Sequence, residues 1–159
     1  MNYQKIESPI GGLYLVAEGS ALRAVIFQKT WREYKNKFPE MIEKESPITR
    51  KAAKQLAEYF AGRRTEFDIE YELEGTEFQK TVWTALKKIP YGKTVSYKHQ
   101  AESIGRPKAT RAVGGTNGLN PLSIILPCHR VIGTSGKLTG YGGGIENKEF
   151  LLRLEGVLL

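Results

Sequence analysis

Cysteine is almost missing from this chain: Cys128 is the only one in 159 residues. A single cysteine excludes an internal disulfide and fits a reducing, intracellular setting. Histidine is nearly as scarce, with His99 and His129 alone. Structural zinc sites usually take four Cys or His ligands, so no metal site is expected. No apolar run is long enough to span a bilayer, and Met1 to Glu7 lacks the apolar core of a secretory signal. A soluble, cytoplasmic protein with no membrane partner is therefore expected.

Acidic residues are short in one half only. From Met1 to Glu74 there are 12 Lys and Arg against 12 Asp and Glu. From Gly75 to Leu159 there are 12 against 5, so the whole net charge of +7 lies there. Clustered positive charge is the usual footprint of nucleic-acid binding. A merely solubilising surface has the same composition.

The first half alternates strand and turn signals. Leu13-Tyr14-Leu15-Val16 and Leu22 to Phe27 are short apolar runs separated by Glu18-Gly19-Ser20, which predicts an antiparallel meander. Trp31, Tyr34 and Phe38 fall at helical spacing in a polar stretch. Ile48, Ala52, Leu56 and Phe60 share a helical face that Gly62 would end. Phe67, Ile69, Tyr71 and Leu73 alternate with Asp68, Glu70 and Glu72, the pattern of a half-buried strand. Those carboxylates read as its wet face, not as a metal site. Residues 1–74 thus form an α+β scaffold domain.

Gly75 marks the boundary. Thr76 and Gln79 form a capping box ahead of a helix with Phe78, Val82, Leu86 and Ile89 on one face. Ser96 caps a second helix, Tyr97 to about Ile104. Gly105-Arg106-Pro107 turns the chain, and Pro107 suits the first position of a third helix carrying Arg111-Ala112-Val113-Gly114-Gly115. Two short helices joined by a Gly-containing turn match a helix-turn-helix. The third helix is rich in Ala and Gly, which suits close approach to a narrow groove or tight packing on another helix. A last helix, about Asn147 to Leu154, turns Leu151 and Leu154 inward. Glu155 at its end opposes the helix dipole; it is either a surface carboxylate or has another duty.

Cys128 sits in Ile124-Ile125-Leu126-Pro127-Cys128-His129-Arg130-Val131-Ile132. Buried cysteines are commonly inert packing. Here Pro127 fixes the backbone before the sulfur, and His129 and Arg130 follow it. Adjacent cations would lower the thiol pKa, and a base in reach would complete an activated nucleophile. The Gly-rich run Gly133 to Gly144 lacks the Gly-Lys-Ser/Thr ending of a phosphate-binding loop. It reads instead as a loop whose amides and Tyr141 wall a pocket.

Pro127-Cys128-His129-Arg130-Val131 closely resembles the active-site motif of the O6-alkylguanine-DNA alkyltransferases. Tyr91 to Tyr97, Arg111 to Gly115, Asn120-Pro121 and Leu154-Glu155-Gly156 resemble further blocks of that family in the same order. The match runs from about Phe78 to Gly156; the first half fits only in length and coarse pattern. The resemblance implies a ribonuclease-H-like first domain and a mainly helical winged helix-turn-helix domain over 75–159. It implies DNA repair by irreversible, single-turnover transfer of the alkyl group of O6-alkylguanine, and possibly of O4-alkylthymine, to Cys128. The damaged nucleotide is first flipped out of a duplex bound through its minor groove. No cofactor is implied. The first-domain zinc site of some members lacks its ligands here, and a monomer is expected.

By position, the resemblance makes Cys128 the acceptor, His129 the base acting through a water, and Glu155 the group that orients it. Asn120 braces the backbone. Tyr97 contacts the flipped nucleotide and its phosphate, and Arg111 fills the gap in the stack. Lys98, Arg106 and Thr134 fall where the family touches DNA. Gly114 and Gly115 allow the helix to approach the groove, and Tyr141 lies on the loop over the base pocket. Two other readings of the residues stand beside this one. One is a helix-turn-helix regulator with a redox- or alkylation-sensing cysteine; the other is a cysteine hydrolase using Cys128 and His129.

Overall fold

A short hydrophobic strand, Leu13–Glu18 (β2), is the spine of the first half. Leu13 to Ala17 are all buried, so both its faces are covered. It pairs antiparallel with Asn2–Ile6 (β1) and with Ala21–Phe27 (β3). The two-residue strand Ile42–Glu43 (β4) joins β1 in parallel, giving the order β3-β2-β1-β4. The sheet is therefore mixed and not the purely antiparallel meander expected. β1 carries no strand signal in the sequence because Asn2, Gln4 and Lys5 interrupt its apolar positions. The computed structural model describes residues 1–159. They form two units, Met1–Leu73 and Glu74–Leu159.

In the first unit, Gln28–Lys37 (α1) buries Trp31, whose ring stacks on Tyr14 at 4.0 Å. Pro47–Phe60 (α2) starts with a capping box between Ser46 and Thr49. It buries Ile48, Ala52 and Leu56, but then Tyr59 and not Phe60. Each four-residue step overshoots a helical turn by about 40°, so the buried stripe must fall back to a three-residue step. Residues 67–73 do alternate, with Ile69 buried and Asp68, Glu70 and Glu72 exposed. They form no ladder strand, only a bridge between Tyr71 and Leu22. Gln55 explains part of this: its side-chain amide occupies both the N–H and the C=O of Asp68, at 2.9 and 3.0 Å.

The second unit opens with Glu77–Ala85 (α3), capped reciprocally by Thr76 and Gln79. A 3-10 turn at Leu86–Lys88 ends it. Val95–Ser96 (β5) leads into Tyr97–Ser103 (α4), with Ser96 capping at 2.9 Å. Thr110–Asn117 (α5) starts later than Pro107 predicts. Arg106 O accepts from Ala109 N at 2.9 Å, so Pro107 takes the second position of a β-turn, which its fixed φ suits equally well. After a long connection come a 3-10 turn at Cys128–Arg130 and Val131–Ile132 (β6), parallel to β5. Ile145–Leu154 (α6) closes the unit. It buries Leu151 and Leu152, while Leu154, expected inward, is only half-buried. Val82, Leu86, Ala101, Val113, Leu122, Leu126 and Val131 complete the core around it, each fully buried.

Candidate active site

The Cys128 segment is a run of tight turns. Ile125 N donates to Ser123 O at 2.9 Å, closing a three-residue turn around Ile124. Ile124 has φ of 74°, the only positive value at a non-glycine residue. A β-branched residue there is strained, by about 1–3 kcal/mol. A second three-residue turn follows, with Cys128 N donating to Leu126 O at 2.8 Å across Pro127. Asn120 holds the segment from the side. Its Nδ2 donates to Leu126 O at 2.8 Å, and its Oδ1 accepts from Leu122 N at 3.0 Å. Residues 122–131 are all buried, which stabilises the strained path through apolar burial.

His129 and Arg130 leave the 3-10 turn on the side of Glu155. His129 Nε2 lies 2.7 Å from Glu155 Oε2. Arg130 donates Nε to Oε1 at 2.8 Å and Nη2 to Oε2 at 3.0 Å, and its Nη1 to Ile89 O at 2.7 Å. Gly92 N adds a fourth donor to the carboxylate, at 3.1 Å to Oε1. Glu155 is the C-cap residue of α6 and its side chain is wholly buried. Its position at the negative helix end is balanced by these donors. An ionised carboxylate accepts, so His129 carries its proton on Nε2. That leaves Nδ1 with a free lone pair, and it has no hydrogen-bond partner in the protein. Burial holds the imidazole pKa below its usual value despite Glu155, with Arg130 and Lys148 adding to the same direction.

The sequence pattern places two cations beside the thiol. The structure turns both His129 and Arg130 to Glu155, because one buried carboxylate needs their donors. The cation that acts on Cys128 is Lys148 instead. Burial pushes the Cys128 thiol up, while hydrogen bonding by Asn120 and the Lys148 charge pull it back. Lys148 is fully buried on α6. Its Nζ donates to Val131 O at 2.6 Å and Thr139 O at 3.0 Å, and approaches Tyr97 Oη at 3.5 Å. Desolvation lowers its pKa to about 8. Sequence reasoning names Arg130 only as a cation for the thiol, not as a partner of Glu155, and does not name Lys148 at all. Lys148 had a signal: it precedes Leu151, Leu152 and Glu155 by three, four and seven residues, which is one helical face.

Tyr97 begins α4, and its hydroxyl accepts from Thr139 Oγ1 at 3.1 Å. Gly114 faces its ring, since a Cβ there would meet Tyr97 at 3.6 Å. Gly115 and Ala112 are exposed, so the small residues of α5 split between packing and an open face. Arg111 is exposed in the first turn of α5. Lys98, Arg106 and Thr134 are likewise on the surface, with Arg106 over the Phe78 ring at 5.8 Å. Tyr141 is half-buried, with its hydroxyl enclosed. The structure thus joins Cys128, Asn120, His129 and Glu155, and links Tyr97 to them through Lys148. The others form exposed positions on α4, α5 and the loops.

This arrangement provides a buried thiol, a neutral imidazole with an open nitrogen, and a carboxylate that fixes its tautomer. Such a set supports nucleophilic chemistry at sulfur.

Comparison with known proteins agrees. Residues 77–157 match the 6-O-methylguanine DNA methyltransferase DNA binding domain, and residues 1–73 match that protein's ribonuclease-like domain. The first half, matched in sequence only by length and coarse pattern, thereby has its own counterpart. A methylated-DNA–protein-cysteine methyltransferase of Methanosarcina acetivorans is 51% identical over 98% of this chain and 99% of its own length. One from Mycobacterium tuberculosis is 50% identical over 98% of this chain and 92% of its own. A crystal structure of Mycobacterium tuberculosis OGT in complex with DNA superposes with a TM-score of 0.87, at 51% identity, over 98% of this chain and 92% of that one. With both halves matched and about half of all positions identical along nearly the whole length, the chain belongs to the O6-methylguanine DNA methyltransferase family.

Proposed function

We propose that this protein repairs DNA by direct reversal, moving the alkyl group of O6-alkylguanine to Cys128 in a single, irreversible turnover. The observation that carries the reading is the buried thiol of Cys128 followed directly in the chain by His129, whose Nε2 is held by Glu155 and whose Nδ1 has no partner in the protein. The thiol proton passes through a water to Nδ1. Sγ then attacks the alkyl carbon, the S–C bond forms as the C–O6 bond breaks, and the electron pair left on the guanine is neutralised by the proton that His129 took, returned through water to N1. The thioether product has no reactive leaving group, so the protein is not regenerated.

The damaged base must leave the helix first, at a cost of a few kcal/mol. Arg111, exposed on α5, enters the vacancy, and the exposed Ala112 and Gly115 allow that helix into the minor groove. Tyr97 and Tyr141 line the pocket for the flipped nucleotide. Lys98, Arg106 and Thr134 contact the backbone. Residues 1–74 serve as scaffold and 75–159 as the DNA-binding and acceptor domain. The protein acts as a monomer in the cytoplasm, and no helix is long and apolar enough to cross a membrane.

The mass of the protein after exposure to an O6-methylguanine duplex tests this reading. One methyl group on Cys128 and no further turnover is expected, and Cys128→Ser should bind the duplex and stay unmodified. A label on another residue would overturn the assignment. Continued turnover without modification would mark a hydrolase, and binding without modification a regulator.

A further inference from the structure

Inside the second unit, Gln100 of α4 and Asn117 of α5 form a reciprocal amide pair. Gln100 Nε2 donates to Asn117 Oδ1 at 3.2 Å, and Asn117 Nδ2 donates to Gln100 Oε1 at 2.7 Å. Gln100 Nε2 also reaches Val82 O of α3 at 3.3 Å. Both side chains are buried, Gln100 at 2% and Asn117 at 6% exposure. Neighbouring Trp83 donates Nε1 to Thr116 O at 2.8 Å. The two side-chain amides could have been replaced together by apolar packing at modest loss of stability, with only Val82 O losing a donor. What a directional pair adds over apolar contact is register.

The register at stake is between two DNA-facing residues. Tyr97 and Gln100 are three apart on α4, and Gly114 and Asn117 are three apart on α5. Tyr97 packs on Gly114 while Gln100 bonds Asn117, so the helices meet through two matched rungs. Both polar anchors of α5, at Thr116 and Asn117, grip its C-terminal end. Arg111 lies at the other end, about 9 Å along the axis at 1.5 Å per residue. A small rotation at the anchor is carried to the Arg111 end of the helix. α4, by contrast, is tied separately at Tyr97 through Thr139 and Lys148.

We propose that the Gln100–Asn117 pair is a positioning device for nucleotide extrusion: it sets α5 against α4 so that Arg111 and Tyr97 act on the same nucleotide. This rests on the alkyl-transfer reading above. Neither residue touches substrate, so the chemistry at Cys128 does not depend on them.

The test measures transfer from an O6-methylguanine duplex and from free O6-benzylguanine, together with a thermal melt. The variants are Asn117→Asp, the apolar pair Gln100→Leu/Asn117→Leu, and the exchanged pair Gln100→Asn/Asn117→Gln. Displacing a reacting group by about 1 Å can cost on the order of 100-fold, so duplex repair should fall by about 10-fold to 100-fold in the first two. Transfer from the free base should stay at the parent rate. The exchanged pair keeps the summed side-chain length and both bonds, and should recover duplex repair. The apolar pair separates positioning from stability: its melting temperature should return to that of the parent while duplex repair stays slow. Full duplex repair in the apolar pair, or equal losses on both substrates, would overturn the proposal. Failure of the parent protein to take any alkyl group would instead overturn the function on which it rests.

Discussion

His129 Nε2 and Glu155 Oε2 lie 2.7 Å apart, with both side chains fully buried. In the proposed mechanism the carboxylate would act on the thiol only through the imidazole to which it is bonded. Transfer losses from His129→Ala and Glu155→Gln should therefore be non-additive in a double-mutant cycle. Independent losses would show that Glu155 does not work through His129. Stability should separate the two variants, because Glu155 also holds Arg130. Removing one partner of a buried ion pair costs about 3–5 kcal/mol, so Glu155→Gln should unfold at markedly lower urea than His129→Ala.

Lys148 predicts a pH dependence of stability. Its folded pKa is about 8, below its ordinary 10.5. Between those values the unfolded chain binds more protons, so the contribution of this residue to stability rises with pH across that window. Below the window both states are protonated and the penalty for burying the charge is complete. Urea unfolding of Cys128→Ser and Cys128→Ser/Lys148→Met at pH about 7.5 and about 9.5 checks this, the serine removing the thiol titration. The first protein should gain on the second as pH rises. A gap that stays level or shrinks would refute the perturbed amine.

Arg111 is exposed at the start of α5, and its proposed work is extrusion. Arg111→Ala should slow duplex repair far more than transfer from free O6-benzylguanine, which needs no flipping. Lys98→Ala and Arg106→Ala should instead weaken binding and reduce its salt dependence, as phosphate contacts do. Equal losses on duplex and free base would point to a folding defect at Arg111.

Gly115 has nothing within 4 Å of where a Cβ would stand. Packing does not require glycine there, and helix propensity opposes it. Gly115→Ala should raise stability by about 1 kcal/mol. Gly115→Leu should weaken duplex binding without loss of stability, because its bulk projects from the open face. Undiminished duplex affinity in the leucine variant would remove this face from the groove.

The alkylated protein should melt below the unreacted one. Cys128 is 6% exposed and lies in a run that already contains the strained Ile124. Overpacking of a core costs about 1–3 kcal/mol. Asn120, which ties Leu126 and Leu122, is the brace most directly loaded. Melts of the free, methylated and benzylated forms without DNA should fall in that order, with protease cleavage rising in parallel. Unchanged melting in both adducts would show that the pocket takes the group without strain.

Much of the second unit was legible because its signals are local. The Thr76–Gln79 box, the Ser96 cap and the left-handed Gly105 depend on neighbours within a turn. Pro107 misled because one φ value serves a helix start and a β-turn alike. β1 was missed, and the run 67–73, which makes only a bridge to Leu22, was read as a full strand, because pairing depends on partners that the segment itself does not contain.

Legible in the chain alone were the mixed α and β character, the net positive second half, the single cysteine and the ordered motifs around it. Composition and short-range spacing carry all of these. Which charged groups act on Cys128 follows from the folded packing. Chain neighbours His129 and Arg130 turn to Glu155, while Lys148, twenty positions on, supplies the cation. The reason is physical: a buried charge must find its counter-charge or its carbonyls in three dimensions, and desolvation penalises every arrangement that leaves one unmatched. The same holds for Gln100 and Asn117, two ordinary amides in sequence that burial turns into the joint between two helices.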